Sequence, residues 1–203
     1  MPINNRRGLR IGLVIAILVF VFAASFVLYG KSMSKGIEEY EYIVEKRLDK
    51  VEIRKYAPRY FHTVEISDSN YKSNSSKGFR ILAGYIFGGN SQNRKIAMTS
   101  PVVMDMKETI KMKFMVPADE DINQLPVAND QRVQLEYVPA KRVAAIRFGG
   151  WANDKRIKKY AKELFDVLEA KGIKHLQTYS FYGYNPPFQV LDRRNEIVVD
   201  LLQ

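Results

Sequence analysis

The sequence predicts an α+β domain whose sheet curls into a barrel, preceded by one N-terminal transmembrane helix. Three observations lead there. Residues 11–29 form an uncharged apolar run, a unit of two strands, a helix and two strands occurs twice, and the strands alternate apolar and polar positions.

The apolar run, Ile11 to Tyr29, is about long enough to cross a bilayer. Arg6, Arg7 and Arg10 precede it; Lys31 and Lys35 follow, then Glu38, Glu39 and Glu41. The positive-inside bias keeps residues 1–10 in the cytoplasm and sends the rest to the periplasmic or extracytoplasmic side. The run is long for a signal-peptide core, and Ala23-Ala24-Ser25, the nearest small-residue triplet, falls inside it. An uncleaved signal-anchor over 11–30 is therefore expected, with a linker over 31–40 and a single-pass membrane topology. The domain then occupies 41–203, in repeats of about 41–117 and 131–203.

In the first copy Val51-Glu52-Ile53 is followed by Arg59-Tyr60-Phe61-His62-Thr63-Val64-Glu65-Ile66. In the second, Val133-Gln134-Leu135 is followed by Lys141-Arg142-Val143-Ala144-Ala145-Ile146-Arg147-Phe148, an offset of 82 from Val51 to Val133. Both read as strand pairs rich in β-branched and aromatic residues. The first helix is expected over Gly78 to Phe87. The second has Asn153 or Asp154 as N-cap, a stripe of Ile157, Tyr160, Ala161, Leu164 and Leu168, and Gly172 as its stop. Two strands follow each helix, about 95–106 and 110–116 in one copy and 178–184 and 196–202 in the other. The acidic segment Pro117 to Asp130 separates the copies.

The first helix is apolar on too many sides. Phe79, Leu82, Ala83 and Ile86 form one stripe, while Ile81, Gly84 and Tyr85 lie off it, with Lys77 one turn before Ile81. Either the helix is sandwiched in a core, or its second face is the wall of a ligand cleft.

Chemistry is sparse. The chain has no cysteine, which excludes disulfides, thiolate ligands and covalent haem attachment through Cys-x-x-Cys-His. His62 shares an inward strand face with Tyr60, Val64 and Ile66. It reads as a hydrogen-bonded core histidine, with metal or haem ligation the alternative. His175 reads as a solvated turn residue. Met98, Met104, Met106, Met112 and Met115 read as adaptable core filling rather than iron ligands. No nucleophile–base set or phosphate loop is visible, so no enzyme is expected.

The net charge of +10 favours acidic small molecules or anionic lipid. Its interleaving with acids, and the lack of a helix-turn-helix or zinc pattern, speak against nucleic acid. In the tail, Tyr182-Gly183-Tyr184-Asn185-Pro186-Pro187-Phe188-Gln189 presents Phe188 on a stiff loop ahead of Arg193-Arg194-Asn195-Glu196-Ile197.

These motifs carry a likeness. Gly78 to Asn90, Lys95-Ile96-Ala97-Met98-Thr99-Ser100-Pro101-Val102, Gly183 to Pro187, Arg193 to Ile197 and Val51 to Pro58 together resemble the SOUL haem-binding protein family over about residues 40–203. The resemblance implies a twofold-repeated α/β unit forming a distorted antiparallel barrel with two flanking helices, akin to bacterial effector-binding domains. It also implies non-covalent binding of haem or a related porphyrin in a cleft between the first helix and the loop before the last strand. By position, the wall falls on Lys77, Ile81, Gly84 and Tyr85, and the closing loop on Phe188. Ile81 and Phe188 would meet the macrocycle and Gly84 would allow close approach, while Lys77, with Arg80, would hold the propionates. Lys55 stands where some members carry a histidine proposed as axial ligand, so haem without a protein axial ligand is expected. The alternative is an effector-binding or protein-interaction module with a non-haem ligand.

Overall fold

In the computed structural model, the structure describes residues 13–18, 36–66, 71–186, 189 and 192–202. The chain divides into two compact units, one of residues 37–185 with 192–203 and one of residues 1–36 with 186–191. In the smaller unit, residues 13–18 are helical and exposed, and the Gln189 amide donates to the Pro186 carbonyl at 3.1 Å. Residues 11–12 and 19–29 of the expected membrane run lie outside the described residues. Among the described residues no helix is long and apolar enough to cross a membrane.

The larger unit is α+β. Its elements are β1 (Tyr42–Leu48), β2 (Val51–Tyr56), β3 (Arg59–Ile66), α1 (Tyr71–Ile86), β4 (Val102–Met106), β5 (Ile110–Met115), β6 (Gln134–Val138), β7 (Lys141–Phe148), α2 (Asp154–Ala170), β8 (Tyr179–Gly183) and β9 (Asn195–Asp200). One nine-stranded antiparallel sheet runs β1-β2-β7-β9-β8-β4-β5-β3-β6. Leaving β1 aside, the order is the same read from either end with the two copies exchanged. The first strand of each copy pairs with the second strand of the other (β2 with β7, β6 with β3), and the copies meet at β4–β8. This is how the duplication is realised.

The sheet curls without closing. β1 and β6 remain as edges, so the expected barrel is a half-barrel. The added strand is β1, over residues the sequence reading left unassigned. The fold begins before it: the Ser100 amide donates to the Glu38 carbonyl and the Tyr40 amide to the Ser100 carbonyl, both at 2.8 Å. That use of Ser100, with Pro101 having no amide to donate, keeps residues 95–101 out of the ladder, so β4 starts only at Val102 rather than at 95.

Period-two alternation gives the sheet two faces. The outer face carries Val51, Ile53, Val64, Ile66, Met104, Met112, Phe114, Ala144, Ile146, Ile197 and Val199, in one core with Leu82 and Ile86 of α1 and Ile157, Ala161, Leu164 and Leu168 of α2. Three of the five methionines fill buried core positions (Met104, Met112, Met115), and Met98 and Met106 pack against the core. The inner face gathers a smaller aromatic core. Tyr40 bridges Tyr56 on β2 and Phe61 on β3, with ring centroids 4.5 and 5.3 Å away, and Tyr56 lies 6.0 Å from Tyr182 on β8. Strands distant in the sheet order meet here, which marks the concave side.

The helices obey local rules. α2 begins at Asn153, whose side chain accepts from the Arg156 amide at 2.9 Å, and ends at Gly172 with φ +63°. The Tyr71 amide at the start of α1 donates to the Asp154 carboxylate of α2 at 3.0 Å, so one acid serves two helix starts. α1 thus begins seven residues earlier than the glycine expected to open it.

Beside the inner core, Glu196 is 0 % exposed, and its four acceptor positions are filled. Oε2 accepts from Arg54 Nη1 at 2.7 Å and the Tyr184 hydroxyl at 3.0 Å. Oε1 accepts from Arg54 Nη2 at 3.1 Å and Arg194 Nε at 3.0 Å. Burial alone would raise the Glu196 carboxyl; Arg54 and then Arg194 overcome it and hold the group below its ordinary value of 4.5. Its stabilising effect is complete above that value and is lost as the pH falls through the lower folded one. Glu196→Ala, which strands two guanidiniums, should cost about 3–5 kcal/mol in urea unfolding at neutral pH. A loss under 1 kcal/mol would show that the site relaxes freely.

Candidate functional site

The candidate site is the outer face of α1, and its construction begins at the end of the helix. Gly88, at φ +112°, terminates α1 in a conformation that a side chain resists. The Gly89 amide then donates back to the Gly84 carbonyl at 2.8 Å, so close that a Cβ on Gly89 would stand 2.6 Å from that oxygen. Asn90 locks the turn from inside. Its Nδ2 donates to the carbonyls of Tyr85 and Arg94, and its Oδ1 accepts from the amides of Gln92 and Arg94. The Gly-Gly-Asn motif is a helix stop.

Each of three glycines on or after α1 can be asked why it has no side chain. Gly78 is buried, and a Cβ there would lie 2.5 Å from Ile66 Cδ1. Gly89 has the carbonyl just described. Gly84 has no such reason: it is exposed, helical, and nothing among the described residues stands within 4 Å of where its Cβ would be. A glycine in a helix costs roughly 0.5–1 kcal/mol relative to alanine. Here no neighbour among the described residues explains that cost.

The surroundings of Gly84 define the face. Ile81 is half-buried one turn before it, and Phe87, 60 % exposed, lies one turn after. Lys77 and Arg80 are exposed on the same side, and neither has an ion-pair partner among the described residues. Lys95, also exposed, pairs its backbone with Phe87 in an isolated bridge. The result is an apolar strip, open at Gly84 and flanked by cations. The sequence reading named Lys77, Arg80, Ile81 and Gly84, which do share this face; it missed Phe87, which lies three residues beyond Gly84 and so on the same side.

Tyr85 is different. It is 3 % exposed, its hydroxyl donates to the Pro126 carbonyl at 3.0 Å, and its ring packs 4.5 Å from the His62 ring. It belongs beneath the helix rather than on the outer wall. The segment between the copies supplies that partner, since Pro126 and Val127 fold over the end of α1 and Val127 accepts from the Ser91 amide. Spacing along α1 gives no hint of a contact from forty residues away. Phe188 lies outside the described residues.

His62 is 3 % exposed on β3, and its Nε2 has no hydrogen-bond partner among the described residues. The inward placement is as expected, but that nitrogen is unbonded, and burial lowers the imidazole from 6.5 to about 4. No cluster of three acidic or histidine ligands exists among the described residues. His175 is half-buried rather than solvated: its Nδ1 lies 2.9 Å from the Leu176 carbonyl and its ring packs on Phe165.

A family model described as SOUL heme-binding protein matches residues 37–200. The chain belongs to this family. Heme-binding protein 1 of Xenopus laevis is 27 % identical over 176 residues, covering 83 % of this chain and 88 % of the relative. Heme-binding protein 2 of Mus musculus is 28 % identical over 156 residues, covering 72 % and 75 %. Human Heme-binding protein 2 is 26 % identical over 155 residues, again covering 72 % and 75 %. Among solved structures, the EcmrR C-terminal domain superposes with TM-score 0.60 at 10 % identity, covering 77 % of this chain and 99 % of that one. A hydrolase from Listeria innocua superposes with TM-score 0.54 at 8 % identity, covering 78 % and 94 %. These last two show that the SOUL domain shares their fold.

Two predictions separate architecture from site. Gly84→Ala should stabilise the domain by roughly 0.5–1 kcal/mol, while Gly89→Ala should destabilise it by about 1–3 kcal/mol. Equal signs in urea unfolding would undo the distinction drawn between these glycines. His62 must stay neutral to stay buried, so its contribution is full above its unfolded value and falls as the pH drops toward 4. Between pH 7.5 and 5 the wild type should lose about 2 kcal/mol that His62→Leu does not lose. Parallel pH dependence in the two proteins would show the imidazole to be solvated.

Proposed function

We propose that this SOUL domain binds haem or a related tetrapyrrole non-covalently on the outer face of α1, as a binding protein rather than an enzyme. The observation that carries the reading is Gly84: a bare helical glycine, unexplained by packing among the described residues, between half-buried Ile81 and exposed Phe87. A flat macrocycle needs such an approach, and hydrophobic contact supplies most of its affinity. Lys77 and Arg80 suit the propionates, since charge-assisted hydrogen bonds favour carboxylates at the edge of an apolar patch. The names of the curated relatives support the ligand class.

The residues fit the ring and its carboxylates, and the described residues of this face include no histidine, methionine or tyrosine aimed at iron. Tyr85 spends its hydroxyl on Pro126 beneath the helix, and His62 lies under α1. A group held here would be bound through its ring by Ile81 and Phe87 and through its propionates by Lys77 and Arg80. We further propose that residues 11–29 anchor the chain in a membrane with the domain on the extracytoplasmic side. The charge asymmetry around that run supports the orientation.

The test is a haemin titration of the full chain in mild detergent, followed in the Soret band. Saturable one-to-one binding is expected. Gly84→Trp should weaken it at least tenfold, about 1.4 kcal/mol, without lowering the melting temperature. His62→Leu should leave the Soret maximum where it is. Haemin bound no better than by an unrelated protein of equal charge would sink the proposal. In sealed vesicles with the cytoplasmic face outward, added protease should spare the domain; digestion would reverse the orientation.

A further inference from the structure

We infer that the concave face of the sheet holds a second site, an anion pocket at the β1–β2 turn, distinct from the outer face of α1. A cavity of about 320 Å³ opens there, lined by Tyr42, Ala145 and eight charged residues. Five are basic (Arg47, Lys50, Arg54, Arg147, Arg194) and three acidic (Asp49, Glu52, Glu196). The volume is at the small end of those that hold metabolites.

The charges are arranged in depth. At the floor, Arg54 and Arg194 are committed to Glu196, and Arg54 Nε also donates to Glu52 at 2.9 Å. Arg54 stacks 4.2 Å from the Tyr42 ring, and Arg194 reaches the Tyr42 hydroxyl at 3.0 Å. These contacts fix both guanidiniums before any ligand arrives. Ala145, opposite Glu52 on β2 and Val198 on β9, leaves the space above them empty.

At the mouth the balance tips to positive. Arg147 is exposed and has no ion-pair partner among the described residues. Among the described residues Lys50 and Arg47, 78 % and 73 % exposed, hold only the surface pairs with Glu163 and Glu52, which water screens. The sole fully buried carboxylate of the lining is already neutralised from below. A small oxyanion entering the cavity meets a rigid, charge-compensated guanidinium floor, and the surplus positive charge and unspent donors lie at the rim. Guanidiniums favour phosphate and carboxylate groups through paired N–H donors.

The duplicated end of the sheet serves as an internal control. The positions equivalent to Arg54, Arg147 and Glu196 are Glu136, Glu65 and Lys111. There one ammonium sits between two carboxylates, at 3.2 Å from Glu136 and 3.3 Å from Glu65. The charge pattern is inverted at the same backbone addresses, so anion affinity belongs to one end alone.

The ligand class is a small organic or inorganic anion bearing phosphate or carboxylate groups. The experiment uses the full chain at low ionic strength, with pyrophosphate and citrate as separate probes and calorimetry as the readout. Saturable binding of at least one probe is expected, weakened tenfold or more in Lys50→Gln with Arg147→Gln. The charge-matched control, Lys155→Gln with Lys158→Gln on α2, should bind as the wild type does. Binding by pyrophosphate alone assigns phosphate, and by citrate alone carboxylate. No saturable heat with either probe, or equal weakening in both double variants, would overturn the inference. Haemin titrations of the same variants should be unchanged, so this site and the α1 face fail or stand independently.

Discussion

Glu196 imposes the constraint around which the larger unit is arranged. A carboxylate taken wholly out of water must be given replacements for its hydration, and a partial set is not enough. Four donors from Arg54, Tyr184 and Arg194 complete it. They come from β2, from the end of β8 and from the residues before β9, so one side chain fixes three parts of the chain relative to one another. Arg194 extends the tie outward, to Glu39 at 3.1 Å and to Tyr42 at 3.0 Å. Glu39 and Tyr42 are thereby attached to the residues that lead into the last strand. An open sheet with two free edges gains rigidity from such a cross-link, because no closing strand pair supplies it.

The two faces of the sheet then serve different ends. The outer face is apolar and is consumed by the helices, so whatever α1 offers to a ligand must lie on the side turned from the sheet. That side is aimed by fixed contacts at each end of the helix: the Asp154 carboxylate at Tyr71, and the Asn90 turn with Pro126 at Tyr85. The inner face is part aromatic, part ionic. Its aromatic half fills the curl, and its ionic half leaves a cavity because the strand crossing it carries alanine at 145.

What was legible in the sequence follows from range. Period-two and helical patterns marked every strand but β1, both helices and the repeat; spacing along α1 put Lys77, Ile81 and Gly84 on one face, and family likeness added Arg80. Those are short-range regularities. Tyr85 was misplaced because its partners, His62 and Pro126, come from other segments, and burial of its ring depends on them. β1 escaped notice because its residues, mostly exposed, show little of the alternation that marks a half-buried strand. Arg54 and Glu196 both lay inside motifs singled out for family likeness, yet 142 residues separate them and nothing local announces a pair. The available signal was a charge on the buried alternation of a strand: Arg54 between Ile53 and Tyr56, and Glu196 beside Ile197.

The faintness of the duplication has a physical explanation in the same residues. The two copies share what the backbone requires: alternation, a helix on the outer face, and a first strand lent to the other copy. They do not share the inner charges. Arg54, Arg147 and Glu196 in one half answer to Glu136, Glu65 and Lys111 in the other, with every sign reversed. Each central charge is satisfied, Glu196 by Arg54 and Arg194 and Lys111 by Glu136 and Glu65, while Arg147 stays without an ion-pair partner among the described residues. Packing therefore holds the periodicity of the outer face, whereas the inner face is free to diverge as long as each central charge keeps its partners. The two clusters differ in depth: Glu196 is 0 % exposed, against 31 % for the Lys111 side chain. Tyr184 and Arg194 cover the first cluster, and it is the covered half that keeps surplus cations at its mouth. Divergence of the inner face, on a backbone the two copies hold in common, gave one end of the sheet a pocket of defined charge.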